Sequence, residues 1–137
     1  MAGHRDTDAL AARAEVLLWT GKIDQSIESA EFARRLNDNL GPEAALNLGI
    51  AYLLAGRFPD AITLLETARA RYPTYPLLDF PLAGAYAEVG RATDAANALE
   101  RGRRKDPYLT LDNFGTRFQD QALRARAVES LRKAGFR

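Results

Sequence analysis

The chain has 137 residues, 47% of them hydrophobic and 27% charged, which suits one globular domain with a real core. It has no cysteine, which excludes disulfides, thiolate nucleophiles and cysteine-ligated metals and fits a reducing cytoplasm. The net charge of +1 hides an asymmetry: residues 1–100 carry 9 Lys/Arg against 14 Asp/Glu, while residues 101–137 carry 10 against 4, so the two ends present opposite fields to a partner.

Alanine, leucine, arginine and glutamate dominate, and all four favour helix. The start, Met1-Ala2-Gly3-His4-Arg5-Asp6, lacks the apolar stretch of a signal peptide, and no segment approaches the roughly 18 apolar residues of a membrane helix. A first helix is expected from a cap at Asp6 or Thr7 to about Thr20. A second runs from about Asp24 to Leu36, and a third from Pro42, acceptable in a first helical turn, to Ala55. The fourth covers about Pro59 to Arg71. The fifth should occupy about Pro76 to Val89, but a proline inside a helix removes a hydrogen bond and clashes with the preceding turn. Pro81 therefore makes this helix either start late, capped by Asp79, or carry a kink. The sixth covers about Thr93 to Lys105. Leu109, Leu111, Phe114 and Phe118 then pin an irregular or short helical segment. Asp120 caps a last helix ending at Gly135, with Leu123, Ala127, Val128 and Leu131 on one face.

The elements repeat. Shifting the chain by 34 pairs Leu48 with Leu82, Tyr52 with Tyr86, Gly56-Arg57 with Gly90-Arg91 and Asp60-Ala61 with Asp94-Ala95. The same shift pairs Leu65-Glu66 with Leu99-Glu100 and Pro73 with Pro107, and matches the small residues Gly49 with Ala83 and Ala68 with Gly102. Each unit reads as helix, glycine turn, helix and proline-marked link. Small residues let the two helices approach, and Tyr52, Tyr86, Leu65 and Leu99 fill the space between them. A degenerate upstream copy appears at a shift of 35, where Thr20-Gly21-Lys22-Ile23 matches Ala55-Gly56-Arg57-Phe58, Ile27 matches Ile62 and Ala33 matches Ala68.

This pattern of Leu, Gly or Ala, Tyr, Ala, Leu, Ala and Pro resembles the tetratricopeptide repeat, whose units are about 34 residues long. The large aromatic common early in the first helix of such units is replaced by Ala45 and Asp79. The resemblance implies an all-α fold, a right-handed superhelical α-solenoid of helix-turn-helix repeats with a C-terminal capping helix. It divides the single domain into a degenerate repeat over 7–41, repeats over 42–75 and 76–109, and an irregular segment plus capping helix over 110–137. The ending Leu131-Arg132-Lys133-Ala134-Gly135 resembles the tails of such arrays in bacterial cyclase-type signalling proteins, which would make the chain part of a larger signalling protein.

No catalytic constellation accompanies the repeat. The one histidine, His4, reads as a tail residue, and Glu28 and Glu31 lie at the spacing of a solvated helix face. There is no phosphate-binding glycine loop, no zinc-protease helix and no nucleophile elbow. The expectation is no enzyme, no cofactor and no metal. In the resembled register the first helices line a concave groove, with Trp19, Leu46, Asn47, Ile50, Leu53, Leu54, Leu77 and Phe80 as its binding residues. An apolar groove of this kind either takes a partner's peptide or helix, closes on a second copy in a homodimer, or is filled by the chain's own ends. The leading reading is a protein–protein interaction scaffold, with a self-associating module as the alternative. Only Asn47 matches the residues by which some family members clamp a terminal carboxylate. A basic flank, Arg101, Arg103, Arg104 and Lys105, suits the C-terminal end of a helix, with RNA or an acidic partner as the other account.

Overall fold

The computed structural model describes the backbone of residues 4–116 and 118–137; Met1 to Gly3 and the His4 side chain, on which the readings of the chain start bear, lie outside the described residues. Eight helices follow one another: α1 His4–Trp19, α2 Ile23–Leu36, α3 Pro42–Leu54, α4 Phe58–Arg71, α5 Asp79–Glu88, α6 Ala92–Lys105, α7 Leu111–Gly115 and α8 Gln121–Lys133. α1 pairs with α2, α3 with α4 and α5 with α6, and α1, α3 and α5 also touch each other in sequence, as in a helical solenoid.

The hairpins are built alike. After α3, Gly56 takes φ 76°, and the Arg57 N–H reaches back to the Tyr52 carbonyl at 2.8 Å. After α5, Gly90 at φ 80° allows the same bond from Arg91 to Tyr86 at 2.9 Å. This left-handed cap closes the open carbonyls of a helix end at little cost only for glycine. Within the hairpins small residues set the spacing. A Cβ on Gly49 would lie 2.5 Å from Leu65 Cδ2, so α3 and α4 can meet at this distance only around a glycine.

Two positions differ from the expectation. α1 begins at His4, so Asp6 and Thr7 lie inside the helix and neither is its cap; Thr7 is buried at 4% exposure. α5 starts late, as one of the two readings of Pro81 requires, and Pro81 falls in its first turn, where its missing N–H has no intrahelical partner to lose. Asp79 does not cap it. The N-cap is Leu78, with no side-chain bond, and the fully buried Asp79 carboxylate accepts from Lys105 Nζ at 2.8 Å and Arg101 Nε at 3.2 Å. The two cations outbid the orphan amides for it, since charge-assisted bonds are the stronger kind.

Neighbouring hairpins are tied by a unit that occurs twice. Tyr52 donates its hydroxyl to Glu31 at 2.6 Å, the Arg57 guanidinium covers the Tyr52 ring at 4.6 Å, and Arg57 Nε also meets Asp60 at 2.9 Å. Thirty-four residues on, Tyr86 donates to Glu66, Arg91 covers its ring at 4.5 Å and meets Asp94 at 2.8 Å. Asp60 and Asp94 sit in the first turns of α4 and α6, where a negative charge is favoured by the helix dipole. Burial first, then the bond to a carboxylate, pushes both phenols up to about 12.

The chain ends in α7 and α8. Thr110 and Asn113 form a reciprocal capping box for α7, and Asp120 accepts from the Ala122 and Leu123 amides to cap α8 as expected. The capping helix α8 packs against α5 and α3, not only against its neighbour α7. Its Ser130 lies where a Cβ on Gly84 would come within 3.1 Å, Leu123 comes within 3.5 Å of the same point on Gly21, and Phe136 meets Phe80 at 5.8 Å between ring centres.

Two outcomes follow. Gly49→Ala gains about 1 kcal/mol of helix propensity but forces an overpacked contact with Leu65 worth about 1–3 kcal/mol, so urea denaturation should show net destabilisation. Equal or higher stability than wild type would contradict the close approach. For Tyr52 and Tyr86, the folded pKa lies above the unfolded value of 10.0, so the unfolded chain releases these protons first. Their contribution is intact below pH 10 and is lost as pH rises from about 10 to about 12. Ultraviolet titration should show a late phenol phase from Tyr52 and Tyr86, and the double variant Tyr52→Phe with Tyr86→Phe should lose it.

Candidate functional site

The inner face of the solenoid was expected to be an apolar groove, and the structure divides its residues into two sets. Ile50 and Phe80 are fully buried, and Leu46, Leu53 and Leu54 are at most 4% exposed. Ile50, Leu53, Leu54 and Phe80 are closed off inside the chain's own core, where α8 packs on α3 and α5 and Phe136 meets Phe80, while Leu46 also borders an open cleft. Of the three occupants considered for the groove, the chain's own end takes this part.

Trp19, Asn47 and Leu77 form the second set. They remain half-buried and line one open cleft of about 430 Å3 together with Glu15, Glu43, Leu46 and Tyr75. Three elements build it. α1 supplies Glu15 and Trp19 one helical turn apart; α3 supplies Glu43, Leu46 and Asn47; the link between α4 and α5 supplies Tyr75 and Leu77. Phe118 fixes the Trp19 ring edge-on at 5.1 Å, and Phe118 in turn meets Phe114 at 6.2 Å. The tryptophan is thus held in place while part of its surface stays open. Among the described residues, the Asn47 amide and the Glu15 and Glu43 carboxylates have no hydrogen-bond or ion-pair partner. The cleft offers an aromatic wall, an aliphatic wall, a free amide and two carboxylates. Glu15, Glu43 and Tyr75 were not singled out as binding residues from the sequence. The two glutamates stand at inward positions of the register, but Tyr75 lies in a proline-rich link whose course no periodicity gives.

The basic flank is occupied within the chain. Arg101 and Lys105 hold Asp79, the Arg103 guanidinium stacks on Phe136 at 4.8 Å, and Arg104 meets Glu100 at 3.3 Å. Arg101 and Lys105 thus tie α6 to α5 and Arg103 ties it to the chain's end, while the Arg104–Glu100 pair is exposed and lies within α6. Lys133 at the end of α8 meets Glu88 at 2.7 Å, which further ties α8 to α5.

Among the described residues no group of three or more His, Asp or Glu side chains gathers to hold a metal ion, and no helix is long and apolar enough to cross a membrane.

Comparison with known proteins agrees with this architecture. No curated protein matches the chain. Among solved structures, the MamA D159K mutant matches with a TM-score of 0.66 at 19% sequence identity, covering 95% of this chain and 76% of that one. At this identity the likeness concerns the fold. Two sequence models of the tetratricopeptide repeat match residues 11–76 and 52–108, together spanning the three helical hairpins. The chain belongs to the tetratricopeptide repeat family, whose repeats serve in general as protein–protein interaction scaffolds.

Proposed function

We propose that this chain binds a short segment of a partner protein in the cleft between α1, α3 and the α4–α5 link. The observation that carries the reading is the coexistence, in one open cleft, of a braced tryptophan, an aliphatic wall and unpaired polar groups. An aromatic side chain already held by its neighbours loses little freedom on binding, which is why such residues dominate interface energetics. Leu77 supplies a second apolar contact. The Asn47 amide is placed to bond a peptide backbone, and Glu15 and Glu43 favour a segment with lysine or arginine beside its apolar anchor.

The same lining argues against capture of a terminal carboxylate, because among the described residues no lysine or arginine lines the cleft. A peptide ending in Glu-Glu-Val-Asp should produce no saturable change in the fluorescence of Trp19, the one tryptophan. Micromolar binding would contradict this.

The direct test uses an array of apolar-basic peptides. Wild type should retain a subset, and Trp19→Ala with Leu77→Glu should weaken each retained peptide by at least about tenfold, as loss of a central anchor does. Glu15→Lys with Glu43→Lys should weaken basic peptides and steepen their salt dependence no further. Retention unchanged by both pairs would exclude the cleft as the binding surface. Light scattering across concentration on the same variants reads self-association through the same face.

A further inference from the structure

A second cleft, of about 370 Å3, opens on the other side of α3, bounded by the end of α2, by α3 and by α4. Its walls include Ala45, Leu48, Leu64 and Ala68, and Tyr72 stands at its edge. The repeat register explains why it is open. A shift of 34 places Asp79 on Ala45, Arg101 on Thr67 and Lys105 on Arg71. In the third hairpin these three positions form a closed cluster, the buried Asp79 carboxylate held by Arg101 at 3.2 Å and Lys105 at 2.8 Å. In the second hairpin the carboxylate is missing, since Ala45 ends at a methyl group, but the cation at the Lys105 position is retained as Arg71.

That cation is poorly matched. Arg71 comes only within 3.8 Å of Asp38, whose side chain is 78% exposed, which is too long for a hydrogen bond. Arg34, half-buried on the lining, has no hydrogen bond or ion pair among the described residues. The other carboxylate on the lining, Asp60, is already engaged by Arg57 at 2.9 Å. The cleft therefore has apolar walls, an aromatic edge, and two guanidinium groups without a good acceptor. Pockets of a few hundred Å3 with mostly apolar walls and a few convergent polar groups are the usual form of a small-molecule site.

We propose that this cleft binds a small aromatic carboxylate. Its ring lies between α3 and α4 against Leu48 and Leu64. Its carboxylate meets Arg71 and Arg34, as the Asp79 carboxylate meets Lys105 and Arg101 in the next hairpin. The bound acid thus supplies from outside the group that Ala45 lacks. Guanidinium–carboxylate bonds, paired and charge-assisted, give the site its selectivity for an anion over a neutral ring.

The test uses 2-naphthoate and its neutral analogue 2-naphthamide, titrated by calorimetry and followed by two-dimensional NMR. Wild type should bind naphthoate saturably and about tenfold more tightly than naphthamide. Ala45→Asp, which installs the next hairpin's own carboxylate, should weaken naphthoate at least about tenfold. Arg71→Gln should cut the preference for naphthoate several-fold, with Arg34 left to hold the carboxylate, while leaving naphthamide binding unchanged. Resonances of Leu48, Leu64 and Tyr72 should move, and the Trp19 indole, which reports the cleft across α3, should not. The idea is overturned if naphthoate fails to saturate at millimolar concentration, if the two ligands bind wild type equally, if Ala45→Asp and Arg71→Gln both bind as wild type does, or if the shifts gather on Trp19. Should Ala45→Asp fail to fold by circular dichroism, the exposed Arg71→Gln variant and the naphthamide comparison decide alone.

Discussion

A pair of helices joined by a tight turn can bury only the faces it turns inward, and the remaining apolar face must be covered by something else. In this chain that constraint falls hardest on α3 and α5, whose residues are buried almost all round, from Leu48 and Tyr52 on one side to Ile50, Leu53 and Phe80 on the other. One side is covered by the partner helix of each hairpin and by the next hairpin along. The other would be bare without α8. Each of the two sides requires its own close approach, Gly49 against Leu65 and Gly84 against Ser130. Core side chains of this size are worth about 1.5–3 kcal/mol each when fully buried, so the covering helix is part of the fold's stability as well as its solubility.

The two clefts follow from the same arrangement. Where α8 and Phe118 stop, Trp19 and Leu77 are left partly open, and the surface proposed to bind a partner is what remains of the concave face. Where the second hairpin carries Ala45 in place of a larger or charged side chain, a space remains between α3 and α4. The first is bordered by Glu15 and Glu43, the second by Arg34 and by Arg71 with its distant Asp38, so the two sides of α3 differ in the charge they present.

Much of the architecture was legible because repeat positions carry residue types with mechanical roles. Gly56 and Gly90 marked the turns, Pro81 left a late start or a kink for α5, and Asp120 marked the start of α8. The tyrosine pair Tyr52 and Tyr86 stood out as a repeat, but its partners Glu31 and Glu66 are separated by 35 residues rather than 34, and the bond became visible only with the helices in place. The seat of α8 was not legible. Leu123, Ala127 and Leu131 declare an apolar face, but nothing in their spacing says whether it covers the end of the array or its inside. Asp79 was misread as a cap for a related reason. Local sequence offers a carboxylate the nearest free amides, whereas the fold brings it two cations from a helix 22 and 26 residues away. The partners of Arg101, Lys105 and Arg103 in the basic flank likewise come from other elements, Asp79 and Phe136, which no local spacing gives.

The position of α8 changes the kind of folding unit this is. In an open solenoid each repeat touches only its neighbours, so stability is close to a one-dimensional sum and the ends can fray independently. Here Leu123 of α8 lies against Gly21 in the turn of the first hairpin, and Phe136, just beyond α8, meets Phe80 in the third. The first of these contacts joins residues about a hundred positions apart and turns the line of repeats into a closed circuit. The first hairpin cannot open without disturbing the last element of the chain. A repeat array so closed gains cooperativity and gives up the fast, local folding that low contact order allows.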